Sequence, residues 1–121
     1  MTVLPVLLVL VGGAIGAPTR YLTDRVVQSR HTTGFSWGTF VVNTVGSLIL
    51  GTVLGSTASP ELTALIGTGF CGALTTYSTF GYETVLLATR RAWLYATLNA
   101  LGSVATGLGT AGLGLAIGAA L

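Results

Sequence analysis

Long apolar stretches, separated by short polar connections, dominate the chain. No charged residue lies within positions 1–19, 31–60, 62–82 or 92–121. Each stretch is about as long as, or longer than, the roughly 20 residues that an α-helix needs to cross the hydrocarbon core of a bilayer. The pattern therefore predicts an all-α membrane protein with four transmembrane helices, at about residues 2–28, 35–56, 61–89 and 93–120.

The composition agrees with this pattern. Of the 121 residues, 51% are hydrophobic and only 7% are charged, whereas soluble domains carry about 25% charged residues. Four spans leave almost nothing for a second domain, so residues 1–121 are expected to form a single membrane domain. The single cysteine, Cys71, excludes an internal disulfide and a cysteine-rich metal site.

The 18 glycines are spaced rather than scattered. Small residues recur at four-residue intervals within single spans, as in GxxxG motifs, which allow helix backbones to approach closely in lipid. The spacing predicts tight helix packing, with some of the partner helices supplied by a second subunit. The positions are Gly12 and Gly16, then Ser47, Gly51 and Gly55, then Gly114 and Gly118.

The basic residues predict a membrane orientation. All five are arginines, and they follow the first span or lie between the third and fourth spans, which places them on one side. By the positive-inside rule both termini are expected outside and both basic loops in the cytoplasm. Membrane topology accounts for the net charge of +2 better than a nucleic-acid partner does. The arginines are Arg20, Arg25, Arg30, Arg90 and Arg91.

The third span is unusually polar at its middle. Residues 72–81 read GALTTYSTFG, with four Ser or Thr hydroxyls and two glycines. One interpretation is a bent but continuous helix, because Ser and Thr hydroxyls can bond back to their own helix. The other is a break that exposes backbone carbonyls to an ion or a water-filled path, which is tolerated at this depth only inside protein or along a cavity. The residues alone favour neither.

Neutral polar side chains also lie on the second and fourth spans. Asn43 shares a helical face with Thr39 and Ser47, and Asn99, Ser103, Thr106 and Thr110 are spaced to share another. Such stripes can be hydrogen-bonding contacts between helices. They can also form a series of N–H and O–H donors that hold an anion weakly at several places, as conduction requires.

Two charged residues are candidates for function. Glu83 is the only charge well inside a span, and an intramembrane carboxylate is by default a functional hypothesis; its alternative is a position nearer the interface. Arg20 follows the first span and is a candidate for drawing anions into a vestibule, or else a topology anchor. No arrangement of catalytic residues and no phosphate-binding loop is present in the sequence, so we do not expect an enzyme.

The motifs together resemble those of the Fluc/CrcB fluoride channels. GGAIGA at 12–17 followed by Arg20 and Tyr21 is similar to the family's first-helix signature, and GTFVVN at 38–43 with Gly46 is similar to its second. GFCG at 69–72, followed by TTYSTF at 75–80, resembles its third-helix hallmark. The resemblance covers nearly the whole chain, in the right order.

The resemblance implies a fold and a function. Members of this family are dimers of antiparallel subunits with a broken third helix, and they let fluoride leave the cell passively through the cytoplasmic membrane. A structural sodium ion, which is not transported, would be held by the carbonyls of Gly72 and Thr75. The matching fluoride pathway comprises Asn43, Tyr77, Phe80 and Ser103, with Asn99 and Thr106.

Some features depart from the family or from a simple homodimer. Tyr77 stands where the family usually has Phe, and Ala73 where a second glycine is common. A homodimer inserted both ways needs balanced basic residues, so the one-sided arginines favour a fixed orientation and a paralogous partner of opposite bias. The rival hypotheses are a small four-helix proton-coupled drug exporter, which would need a carboxylate inside its first helix, and a purely structural subunit.

Overall fold

The structure is a computed structural model that describes residues 3–31 and 34–121. Five helices account for most of these residues. Within those residues the prediction of an all-helical chain is confirmed, and no β-strand occurs. The predicted start of the first span, at residue 2, lies outside the described part. The helices are α1 (Val3–Ser29), α2 (Trp37–Gly55), α3 (residues 60–74), α4 (Tyr77–Thr89) and α5 (Trp93–Ala120).

Three of the helices, α1, α2 and α5, are long and apolar enough to cross a membrane. The predicted third span, residues 61–89, is instead divided between the two shorter helices α3 and α4. With α3 and α4 together counted as one segment, the five helices match the four predicted spans, and the chain is a multi-pass membrane protein.

The beginning of α3 follows from its sequence. The Ser59 hydroxyl accepts a hydrogen bond from the backbone N–H of Leu62 at 3.2 Å, which caps the helix. Pro60 occupies the first turn, where its missing N–H costs no helical hydrogen bond.

Two stretches have the wider π-helical winding. They are Thr63–Cys71 within α3 and Leu98–Gly102 within α5, and the latter separates Trp93–Thr97 from Ser103–Ala120. Each π-helical turn holds more residues than an α-helical turn. Side chains beyond such a stretch therefore point to a different face from the one that an α-helical period predicts.

Glycine sets the close packing of the helix pairs α2/α5 and α1/α3. A Cβ added at Gly114 would lie 2.5 Å from the carbonyl oxygen of Leu48, and one at Gly69 would lie 2.7 Å from that of Val9. Contacts of this kind recur at Gly12, Gly16, Gly51, Gly55 and Gly118. The predicted glycine positions thus lie at helix contacts, where only an absent side chain lets the backbones meet. Ser47, the remaining member of the predicted series, lines a cleft instead.

The outer surfaces of the bundle are apolar. Leu10 is 62% exposed and Leu108 is 72% exposed, among many large aliphatic side chains on α1 and α5. At one end of the bundle the loop before α2 meets the start of α5, where Gly34 lies against the Tyr95 ring. That contact brings the basic end of α1 and the Arg90–Arg91 connection to the same end of the bundle.

Candidate functional site

A break in the third membrane segment forms the centre of the site. Helix α3 ends at Leu74, and α4 begins at Tyr77. The two residues between them are extended, with ψ of 159° at Thr75 and φ, ψ of −147°, 123° at Thr76. Of the two interpretations left open by the sequence, the structure has the broken helix.

The Asn43 side chain of α2 holds the break. Its Oδ1 accepts a hydrogen bond from the backbone N–H of Thr76 at 2.8 Å, and its Nδ2 donates to the carbonyl of Thr76 at 3.1 Å. One amide side chain therefore satisfies both backbone groups of a residue that has left the helix. This meets the requirement that buried backbone polar groups find partners.

The Thr76 hydroxyl satisfies a second group at the break. Thr76 is the N-cap of α4, and its Oγ1 accepts a hydrogen bond from the N–H of Thr79 at 3.1 Å. Thr76 belonged to the polar motif read in the sequence but was not among the predicted site residues. A threonine directly before the first residue of a helix indicates an N-cap. The sequence did not reveal that a helix begins at Tyr77, so this signal could not be used.

These side-chain bonds leave two carbonyls without their helical partners. In a continuous α-helix the N–H of Thr76 would bond the carbonyl of Gly72, and that of Thr79 would bond the carbonyl of Thr75. Both N–H groups donate to side chains instead. Backbone carbonyl oxygens are ligands suited to a hard cation, so the donor set at Gly72 and Thr75 fits a sodium ion.

An open cleft of about 530 Å³ lies beside the break. Its walls come from α2, both halves of the third segment and α5. An added Cβ at Gly72 would find nothing within 4 Å, so the backbone there is accessible from the cleft. The cleft brings together six of the predicted site residues: Asn43, Gly72, Thr75, Tyr77, Phe80 and Ser103.

Two aromatic rings follow the break on α4. The ring centroids of Tyr77 and Phe80 lie 6.3 Å apart, with their planes at 41°. Tyr77 is 86% exposed, so its ring projects from the subunit, while Phe80 is half-buried in the wall. Aromatic rings carry positive edges, which can face an anion.

The predicted polar stripe of α5 is divided. Ser103 lines the cleft, and its buried Oγ has no hydrogen-bond partner among the described residues. Asn99 is fully buried away from the cleft, where its Nδ2 donates to Thr84 Oγ1 at 2.7 Å. Thr106 also lies outside the cleft lining. The π-helical winding at Leu98–Gly102 separates Asn99 from the face expected from α-helical spacing.

Asn99 nevertheless contacts the segment that carries the aromatic rings. Thr84, which accepts from Asn99, donates its own hydroxyl proton to the carbonyl of Phe80 at 2.8 Å. Asn99 thus supports α4 through Thr84. Its Oδ1 is buried without a partner among the residues that the structure describes.

Glu83 lies on α4 between the break and the basic connection, outside the cleft. Its Oε1 accepts a hydrogen bond from Thr39 Oγ1 at 2.6 Å, and Thr39 is only 2% exposed. The neighbouring Gly38 packs against Asp24 of α1. Glu83 therefore joins α4 to α2 near the end of the bundle where the arginines lie.

Arg20 lies on α1 and does not line the cleft. Its Nε is buried and has no hydrogen-bond partner within the described ranges. Together, the residues with predicted sodium and fluoride roles meet at one cleft, except for Asn99 and Thr106. The two charged candidates, Arg20 and Glu83, lie elsewhere.

Comparison with known proteins identifies the family. The sequence profile described as "CrcB-like protein, Camphor Resistance (CrcB)" matches residues 7–115. The chain belongs to the CrcB family. The predicted resemblance is thereby confirmed, and the broken third segment is a feature of a CrcB protein.

Individual CrcB relatives are similar over nearly their whole lengths. A protein of Streptomyces avermitilis named "Fluoride-specific ion channel FluC 1" is 55% identical over 90% of this chain and 91% of its own length. One of Frankia casuarinae with the same name is 52% identical over 95% and 96%. "Fluoride-specific ion channel FluC 2" of Rhodococcus jostii is 54% identical over 90% and 94%. Since this is a family of ion channels, the prediction that the chain is not an enzyme is confirmed.

Proposed function

We propose that this chain is a subunit of a fluoride-selective ion channel that passively exports cytoplasmic fluoride across the cell membrane. The observation that carries the proposal is the break at Thr75 and Thr76, which opens onto a cleft shared by aromatic edges and neutral donors. Close relatives named as fluoride-specific channels support the choice of ion.

The cleft has the chemistry that fluoride needs. Fluoride is small and strongly hydrated, so it enters a pore only where donors replace its water. The unpartnered Ser103 hydroxyl and the Asn43 amide are such donors, and the rings of Tyr77 and Phe80 add positive edges. None of these groups is a fixed cation, so the anion is held weakly enough to leave, as conduction requires.

Export follows from acid–base chemistry rather than from pumping. HF enters a cell as a neutral acid and ionises near neutral pH, and the trapped anion then leaves down its gradient. Asn99 and Thr106 of α5 and the Arg20 vestibule would extend the path beyond the cleft. Glu83 would be an intramembrane carboxylate on α4, on the side of the break nearer Arg90 and Arg91, where the Thr39 hydroxyl orients it.

A second subunit in antiparallel orientation would complete the site. The cleft is open on this subunit, and Tyr77 projects from it with 86% of its surface exposed. A structural sodium ion at the dimer centre would be held by the carbonyls of Gly72 and Thr75. It would offset the cost of placing an anion at mid-membrane. The one-sided arginines point to a paralogous partner.

Fluoride efflux from proteoliposomes tests the function. A fluoride-selective electrode should record release from vesicles containing the protein, together with its partner subunit if one is required. The Phe80→Ile variant should slow release by about tenfold or more, the effect of roughly 1.4 kcal/mol on a barrier, because the aromatic edge is lost.

Thr52→Val is the matched control, because the Thr52 hydroxyl bonds only within α2, to the carbonyl of Leu48 at 2.8 Å. It should conduct like the unmodified chain. Movement of cations with protons would instead support the drug-exporter hypothesis. Vesicles that release nothing in any subunit combination would leave only a structural role.

A further inference from the structure

The Asn43 side chain and the Gly72 carbonyl are alternative acceptors for one hydrogen-bond donor, the backbone N–H of Thr76. Asn43 Oδ1 takes that hydrogen bond at 2.8 Å. Gly72 stands four residues before Thr76, the position whose carbonyl an α-helical N–H bonds. The residue that lines the anion cleft is therefore also the residue that keeps the Gly72 carbonyl free.

We propose that Asn43 is a positioning residue for the cation site: by capturing the N–H and carbonyl of Thr76, it prevents the helix from closing and presents the Gly72 carbonyl to sodium. The inference rests on the proposed function for the presence of sodium. It adds a role for Asn43 that is separate from contact with fluoride.

The geometry of the pairing supports this role. Both polar ends of the Asn43 amide bond the same residue, at 2.8 and 3.1 Å, so the side chain holds Thr76 in its extended conformation from both directions. One further N–H of the Asn43 amide stays available for an anion, since the group has two donor hydrogens. A single side chain thus links the anion cleft with the cation site.

The Thr76 hydroxyl performs the matching task for the second carbonyl. It accepts a hydrogen bond from the N–H of Thr79 at 3.1 Å. In a continuous helix that N–H would bond the Thr75 carbonyl. Two side chains, one from α2 and one within the break, therefore release two carbonyls. The same principle acts at both positions, and each can be tested separately.

The test measures sodium binding rather than conduction. Because a ligand that binds only the folded state raises its stability with concentration, the melting temperature Tm is followed as sodium replaces N-methylglucamine at constant ionic strength. Asn43→Leu removes the side-chain acceptor of the Thr76 N–H, so that N–H is expected to bond the Gly72 carbonyl instead. We expect the sodium concentration of half-maximal stabilisation to rise by about tenfold or more, the scale of one buried hydrogen bond.

Two further variants separate hydrogen bonding from charge. Asn43→Asp keeps an acceptor for the Thr76 N–H, so sodium stabilisation should persist while fluoride efflux is lost to repulsion. The double variant Asn43→Leu, Ser47→Asp places a similar charge on the same cleft, one turn along α2, without that acceptor. It should bind sodium as weakly as Asn43→Leu. Recovery of sodium binding in the double variant would overturn the proposal.

Substitutions at Thr76 give a second test, which does not depend on whether the Asn43→Leu variant folds. Thr76→Val removes the hydroxyl acceptor and should weaken sodium stabilisation, whereas Thr76→Ser keeps the acceptor and should retain it. Thr52→Val is again the control and should leave the sodium midpoint unchanged. Unchanged midpoints in Thr76→Val, or in a folded Asn43→Leu, would overturn the proposal.

The result is distinguishable from failure of the proposed function. If the unmodified protein releases fluoride but sodium does not raise its Tm, the positioning role is wrong and the channel function stands. If the sodium pattern holds but no fluoride is released, the cation site stands and the fluoride function is wrong.

Discussion

Tyr77 is the residue at which this chain departs from the aromatic pair expected of its family. Its ring lies 6.3 Å from that of Phe80 and projects from the subunit beside the break. Two features of the side chain are candidates for meeting the anion, the positive edge of the ring and the phenolic hydroxyl. The ring edge is the feature that Tyr77 and Phe80 share.

Substitution at Tyr77 separates these contributions. Tyr77→Phe keeps the ring edge, so we expect fluoride efflux within about twofold of the unmodified rate. Tyr77→Ile removes the ring, and efflux should fall by about tenfold or more. Initial rates from proteoliposomes with matched protein content give the comparison. A large loss in Tyr77→Phe would assign the contact to the hydroxyl.

At the scale of the helical elements, glycine and side-chain hydrogen bonds have different tasks. Backbone contact at glycine joins α1 to α3 and α2 to α5. Side-chain bonds hold α4: Asn43 and Thr39 reach it from α2, and Asn99 reaches it from α5. The segment that carries the aromatic rings is thus attached by polar contacts, and the rest of the bundle by close packing.

A pair of glycine substitutions on α5 tests the packing. Gly114→Ala would place a Cβ 2.5 Å from the Leu48 carbonyl oxygen. It should lower the free energy of unfolding by about 1–3 kcal/mol, because neither backbone can yield without moving a helix. An added Cβ at Gly112, on the same helix, meets nothing within 4 Å, so Gly112→Ala should retain full stability. Unfolding in detergent measures both; equal losses would contradict the packing argument.

Much of this element structure was predictable from the chain. Uncharged stretches predicted the helices, and the glycine spacing predicted close contacts between them. The polar segment after Gly72 drew attention to the break without deciding it. In a continuous helix the N–H of Thr76 bonds the Gly72 carbonyl, whereas in the broken helix it bonds Asn43 Oδ1. Asn43 is 33 residues away in sequence, so the local sequence cannot predict which acceptor is used.

The side-chain faces of α5 were less predictable. Asn99 shares a face with Ser103 and Thr106 only if the helix keeps its α-helical period between them, and the π-helical turn at Leu98–Gly102 changes that period. Ser103 and Thr106 both follow that turn, and of the two only Ser103 lines the cleft. The local sequence LNALG contains no pattern that predicts a π-helical turn, because such a turn depends on how the helix packs in the folded protein. The Thr39–Glu83 hydrogen bond likewise needs the relative positions of α2 and α4, which a single sequence does not contain.

At the scale of the whole molecule, the two arginine groups lie at the same end of the bundle. Gly34, which follows the Arg30 loop, contacts Tyr95, which follows the Arg90–Arg91 connection. The opposite end has no basic side chain. A short chain with such a bias is expected to insert in one orientation, with this end in the cytoplasm.

Reporter fusions after Leu121 test the orientation. Alkaline phosphatase should be active and green fluorescent protein dark, because the C-terminus is expected outside the cytoplasm. Replacing Arg90 and Arg91 by alanine weakens the bias and should produce a mixed population, which serves as the control. Equal inside and outside populations of the unmodified chain would contradict the paralogous partner and favour a homodimer.

The clamped break also bears on how stiff the transport path is. An interruption in a membrane helix is commonly regarded as a hinge, since backbone freed from its ladder can swing. Here Asn43 holds Thr76 from both sides, and Thr76 in turn anchors the first turn of α4. These three hydrogen bonds restrain the interruption, so we expect it to stay in one conformation while ions pass, without a gate opening at mid-membrane.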